Sequence, residues 1–156
     1  MNATASVAPL VKHATVPCPP PRAFELFTEQ LSAWWPMATH SVGGSPACRV
    51  DMAGHVGGHI IETLPDGTTS IWGTITAWEP PSRVAFTWHP GRDLGEATEV
   101  QVVFEPTADT ATATAVTLVH GGWSARPDGI AARRNYDTGW DLVLAQFRSA
   151  PALPTS

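Results

Sequence analysis

The chain has 156 residues, a net charge of −5 and 43% hydrophobic residues. That is enough for one ordinary domain to bury roughly 70% of its unfolded surface without a metal or disulfide staple. No apolar run approaches the roughly 18 residues of a membrane span and no basic-then-apolar leader opens the chain, so a cytoplasmic protein with no membrane partner is expected. The nine basic residues are scattered, Arg133-Arg134 being the one adjacent pair, which argues against a nucleic-acid partner.

Residues 1–9 and 150–156 lack periodicity and are expected to be disordered tails around a single domain over 10–149. Leu10 to Val16 alternates as a first strand, which Pro17 and Pro19 to Pro21 end. Two short helices are expected next. Pro20 or Pro21 suits a first helical turn, and Phe24, Phe27 and Leu31 form an apolar stripe leading to Trp34-Trp35 before Pro36.

From about 46 to 120 the period becomes two, with turns at Gly57-Gly58, Pro65-Asp66-Gly67, Glu79-Pro80-Pro81-Ser82 and Pro106 to Asp109. Strands are predicted over 59–64, 69–78, 83–88, 98–105 and 111–120, with a loop over 89–97. The faces of 59–64 and 69–78 stay open: either Ile60 and Glu62 or His59 and Ile61 point inward, and Trp72 and Trp78 alternate against Ile71, Ile75 and Ala77. After Gly121-Gly122-Trp123 the period becomes 3.6. Ile130, Tyr136, Trp140, Val143, Leu144 and Phe147 predict a long amphipathic helix, in which Gly139 is unfavourable by about 1 kcal/mol relative to Ala unless something approaches it closely. Strands grouped apart from helices give an α+β fold, with the long helix packed across a curved antiparallel sheet of six to seven strands.

The residues bearing on chemistry are few. Seven tryptophans against one tyrosine permit an aromatic-lined cavity. His120 follows Val116 and Leu118 on one strand face and is expected at the cavity mouth, where it binds a carbonyl or acts as acid or base, or else holds the Gly-Gly turn. Glu62, if inward, is a carboxylate with a raised pKa and a second candidate base. Trp72 and Trp88 are candidate stacking walls or ordinary core, His40 a cavity-entrance residue or a local cap, and Tyr136 a ligand-orienting phenol or one satisfied by backbone. Trp34 and Trp140 complete the candidate ligand-binding set.

Cys18 and Cys48 read as free, partly buried thiols, and His55 and His59 are separated by helix-breaking glycine, so no metal site is expected. Neither a nucleophile elbow nor a phosphate loop is present, and no cofactor is expected.

The order of elements, with Phe24-Glu25-Leu26-Phe27, Trp34-Trp35-Pro36, Val56-Gly57-Gly58, Asp66-Gly67 before Trp72-Gly73, Trp78-Glu79-Pro80-Pro81, Phe86-Thr87-Trp88, His120-Gly121-Gly122-Trp123 and Gly139-Trp140, resembles the helix-grip fold of the START-like (SRPBCC) superfamily. It is most similar to the branch of the activator of heat-shock-protein-90 ATPase. The resemblance implies a cavity between sheet and C-terminal helix, which in the superfamily holds lipids, polyketides or plant hormones. Three functions follow as expectations: binding of a small hydrophobic or amphipathic molecule, acid–base catalysis of the cyclase, dehydratase or hydrolase kind in the same cavity, or protein binding of the heat-shock-protein-activator kind. A homodimer is left open.

Overall fold

The structure, a computed structural model, describes residues 7–45, 47–110 and 112–152. Of the tails expected over 1–9 and 150–156, residues 1–6 and 153–156 lie outside the described residues, as does Ala111, the expected first residue of the last strand.

Among the described residues, seven strands form one antiparallel sheet: β1 (Leu10–Val16), β2 (Arg49–Met52), β3 (His59–Thr63), β4 (Thr69–Glu79), β5 (Arg83–Trp88), β6 (Thr98–Pro106) and β7 (Thr114–Gly121), in the order β1-β7-β6-β5-β4-β3-β2. The helix-grip architecture is completed by α1 (Pro20–Phe27), α2 (Leu31–Trp34) and α3 (Gly129–Ser149). The last strand starts at Thr114 because the preceding threonines close a local turn: Thr107 Oγ1 donates to the Thr110 carbonyl, and Thr110 and Thr112 share a hydroxyl bond of 2.8 Å. The stripe through Phe24, Phe27 and Leu31 is shared by the two expected short helices, and α1 closes at Thr28, whose backbone N–H and hydroxyl both donate to the Phe24 carbonyl.

Two irregularities settle the open faces. Ile60 and Glu62 are fully buried and Ile61 looks outward. Along β4 the register shifts once opposite Ile60/Ile61 and again between Ile75 and Ala77, so strict alternation fails: Trp72 and Ile75 are both buried, and Trp78 packs on Phe24 at 5.1 Å. Each extra residue bends the strand, and the bend wraps the sheet toward α3.

The inner stripe of α3 is Ala132, Trp140, Val143, Leu144 and Phe147, with Tyr136 partly buried beside it. Ile130, expected on that stripe, is exposed. Six residues before Tyr136, it stands about 120° round the helix from the sheet-facing row. Phe147 meets Trp34 at 5.0 Å and Phe27 at 5.3 Å, closing the core at one end. Alongside, Lys12 of β1 bonds Asp137 and reaches Asp141 at 2.9 Å, tying the outer edge of the helix to the edge strand. Ala150 is buried and the chain continues in a 3-10 turn through Ala152.

Gly73 marks the closest backbone approach in the sheet. A Cβ there would lie 1.7 Å from the Thr87 carbonyl oxygen, which is backbone of β5 registered against Glu99 of β6 and has no side-chain freedom to yield. Gly73→Ala is therefore expected to destabilise the fold by at least about 3 kcal/mol, the upper end for overpacking. Urea unfolding at unchanged m-value is the check, and a loss below about 1 kcal/mol would contradict it.

Candidate functional site

A cleft of about 380 Å³, open to solvent, lies between α3 and two loops at the bulged side of the sheet. The loop after α2 supplies Trp35 and Thr39 to Val42, the end of β5 and its following loop supply Trp88, Pro90 and Gly91, and α3 supplies Tyr136, Gly139, Trp140 and Val143. The two loops approach each other at Val42 and Gly91. Trp35 lies at the centre of the aromatic wall, with ring centroids 5.3 Å from Trp72, 5.9 Å from Trp88 and 6.0 Å from Trp140.

Each indole N–H on the cleft wall is turned to a protein acceptor. Trp35 Nε1 donates to the His40 carbonyl (2.8 Å), which folds the loop back on the ring that starts it. Trp140 Nε1 donates to His120 Nδ1 (2.9 Å), and Trp88 Nε1 donates to the Tyr136 hydroxyl (3.1 Å). The indoles therefore present ring carbon to the cleft and no free donor. Tyr136 differs: its oxygen accepts, and among the described residues its own O–H has no acceptor. Burial holds this phenol above its ordinary pKa, so it stays a donor.

Behind the wall sit two buried polar groups. Glu62 accepts from Val42 N (2.8 Å), Gly43 N (2.9 Å), Trp72 Nε1 (2.9 Å) and the Cys48 thiol. Burial alone would raise its pKa, but the bonds from Gly43, Val42, Trp72 and Cys48 outweigh that and hold it below its ordinary value. The raised pKa expected of an inward Glu62 is thus corrected: its four lone-pair sites are taken by donors that favour the anion, and no lone pair is left to act as a base.

His120 is likewise fully buried, and lies behind Trp140 and not at the cavity mouth. Since an indole only donates, Nδ1 accepts and the proton is on Nε2, which donates to Thr98 Oγ1 (2.7 Å); that hydroxyl in turn donates to the Trp88 carbonyl (3.1 Å). Trp123 packs over the ring at 4.1 Å. Burial, reinforced by Arg126, pushes the imidazole down to about 3, so it is neutral and fully bonded.

Residues 17–151 match the family described as Activator of Hsp90 ATPase homolog 1-like protein. The chain belongs to that family. No curated protein matches it by sequence. Among solved structures it is similar to the anthrahydroquinone-γ-pyrone synthase Txn09, solved as a complex, with 27% identity over 93% of this chain and 97% of the other and a TM-score of 0.64. Two further neighbours, each 19% identical over 92% of this chain and 96% of theirs, share the fold: protein MLL2253 from Mesorhizobium loti (TM-score 0.68) and the Aha1 dimer from Colwellia psychrerythraea (TM-score 0.65).

Within this family fold the candidate residues divide into two layers. His40, Trp88, Tyr136 and Trp140 surround the cleft. Trp34, Trp72, Glu62 and His120 stand behind it: Trp34 donates to the Leu26 carbonyl (2.7 Å) inside the core, and Trp72 is fully buried on Glu62. Trp35, not its neighbour Trp34, faces the cleft. Nothing in a Trp-Trp pair beside a proline says which ring points which way, and Val42, Pro90 and Gly91 come from loops with no periodicity to read. His55 and His59 bond separately, to the Val56 carbonyl and to Thr74 Oγ1. No described helix is long and apolar enough to cross a membrane.

Two substitutions check the buried groups. Glu62→Gln places an amide N–H against donors and is expected to cost about 2 kcal/mol at neutral pH. Because the folded pKa of Glu62 is lowered, its stabilising contribution is present above the unfolded value and lost as pH falls through the folded one, so the variant should show a shallower acid limb in chemical unfolding. His120→Gln keeps an acceptor for Trp140 and a donor for Thr98 but cannot titrate. With a folded pKa near 3, wild-type His120 stabilises fully above about pH 6.5 and progressively less below it, so between pH 6.5 and 4.5 the wild type should lose stability faster than the variant. Parallel stability curves would contradict the assignment.

Proposed function

We propose that the cleft binds a small, planar, mostly apolar molecule carrying a hydrogen-bond acceptor that meets the Tyr136 O–H. The observation that carries this reading is the pairing of three indoles, each with its N–H bonded to protein, with one phenol whose proton has no protein acceptor. A volume of about 380 Å³ suits a molecule of two or three fused rings, at the small end of ligand sites. The likeness to a synthase of an anthrahydroquinone-γ-pyrone supports an aromatic, oxygen-bearing ligand class.

Gly139 supports the same reading. A Cβ built on it would lie 3.8 Å from His40 Nε2, an ordinary contact, so no packing constraint excludes alanine. The residue borders the cleft, and its missing side chain is volume left to the ligand.

The test uses chromone, a planar bicycle with one ring carbonyl, and reads quenching of tryptophan fluorescence. Tyr136→Phe should weaken chromone binding roughly tenfold, the worth of one hydrogen bond of about 1.4 kcal/mol. Gly139→Ala should raise stability by about 0.5–1 kcal/mol while lowering affinity, and Gly139→Leu should abolish binding in a folded protein. Unchanged chromone affinity in Gly139→Leu would place the ligand elsewhere and end this reading.

A further inference from the structure

Two polar side chains on opposite walls of the cleft each have an atom without a hydrogen-bond partner among the described residues. One is the Tyr136 O–H. The other is His40 Nε2, on the opposite loop. Of the other polar side chains there, Ser41 Oγ donates to the Met37 carbonyl (2.6 Å) and accepts from Gly44 N (2.9 Å), Thr39 Oγ1 is shared with the His40 ring, and the indole N–H groups are bonded as above. His40 Nδ1 lies 2.7 Å from Thr39 Oγ1, a hydroxyl able to accept, so the ring can carry its proton on Nδ1 and keep a lone pair at Nε2. Nε2 stands over Gly139, one turn along α3 from Tyr136, an axial offset of about 4.5 Å. A donor and a basic nitrogen so placed bracket a carbonyl oxygen and the carbon beside it.

We propose that His40 and Tyr136 form an acid–base pair that moves a proton at the carbon next to a ligand carbonyl, so that the cleft interconverts keto and enol forms of planar cyclic ketones. This rests on the reading of the cleft as a site for planar, acceptor-bearing ligands. In the step, the α C–H bond breaks and its proton passes to His40 Nε2. The bonding pair becomes the new C=C bond, and the carbonyl π pair moves to oxygen, where the Tyr136 O–H stabilises the developing charge. The imidazolium, its Nδ1–H held by Thr39, returns the proton to the oxygen or the carbon. Atoms and electrons balance, and no oxidant or second reactant is needed. The deeply buried His120 and Glu62 take no part, because neither reaches the cleft.

The experiment follows α-proton exchange of 2-tetralone in D₂O by NMR, with binding read separately by tryptophan quenching. Wild-type protein should accelerate exchange by about 100-fold or more over matched buffer, the lower range for a positioned general base. His40→Ala and His40→Gln should each lose at least about tenfold of that exchange with 2-tetralone at saturating concentration, so that any change in affinity is separated from the loss of proton transfer. Tyr136→Phe should lower both exchange and affinity. Binding with exchange no faster in wild type than in His40→Ala overturns the proton-transfer proposal and leaves the binding reading standing. Failure of 2-tetralone to bind while chromone binds overturns the proton-transfer proposal alone, and failure of both to bind overturns both readings. The His40 ring is only partly buried, so thermal melts should show the His40 variants folded.

Discussion

The carboxylate of Glu62 is the contact on which the cleft depends. The described residues of the loop from Trp35 to Cys48 have no regular secondary structure, yet several of them line one wall of the cleft. Two consecutive loop amides, Val42 and Gly43, converge on one buried anion, as does the Cys48 thiol from the far end of the loop. Trp72 reaches it from the sheet. A charge in that position is costly when unpaired. Here four donors compensate it, and they register Val42, Gly43 and Cys48 against β3 and β4. The opposite wall is held by a similar device at the surface: Arg92 in the loop after β5 bonds Asp128, which Arg126 also grips at 2.8 Å, and the carboxyl of Asp128 is held down to about 2.

Buried polar groups in this molecule hold the walls, and half-open ones face the ligand. His120 shows the difference. It lies within 4.8 Å of Tyr136 by ring centroids, yet burial keeps it neutral and both nitrogens are bonded, so it orients Trp140 and carries the β7–β6 link through Thr98 to the Trp88 carbonyl. His40 has the opposite circumstances: one nitrogen on a neighbouring hydroxyl, the other toward open volume. Position in a strand pattern made His120 the more visible candidate, whereas access to the cleft makes His40 the usable one.

Much of the fold was legible because it depends on period and punctuation. β1 and the meander turns follow from alternation and from proline and glycine, and the start of α3 from the change of period after Gly122. What misled was local chemistry that breaks period. The bulges in β4 put Trp72, Ile75 and Trp78 on one side, which no alternation rule allows. At the site, Tyr136 and Trp140 were readable from the helix face, and Trp88 from its strand end. Trp35, Val42, Pro90 and Gly91 were not, since a loop's facing is set by tertiary bonds such as those on Glu62. The inward register of Glu62 was one of two alternatives, and its lowered pKa depends on loop amides about twenty residues away in sequence.

Gly139 joins these threads. A glycine at the centre of a 21-residue helix gives up helix stability, and nothing packed against it requires that, because a Cβ would meet only the edge of the His40 ring at ordinary distance. At Gly73, by contrast, backbone geometry demands glycine, because a Cβ would run into the Thr87 carbonyl. At Gly139 the demand comes from the empty side: a side chain there would occupy the space between His40 and the turn bearing Tyr136. A helix that serves only as packing against a sheet has no reason to keep that space open. The residue that looks like a defect in α3 is where the helix stops being core and becomes the floor of a site.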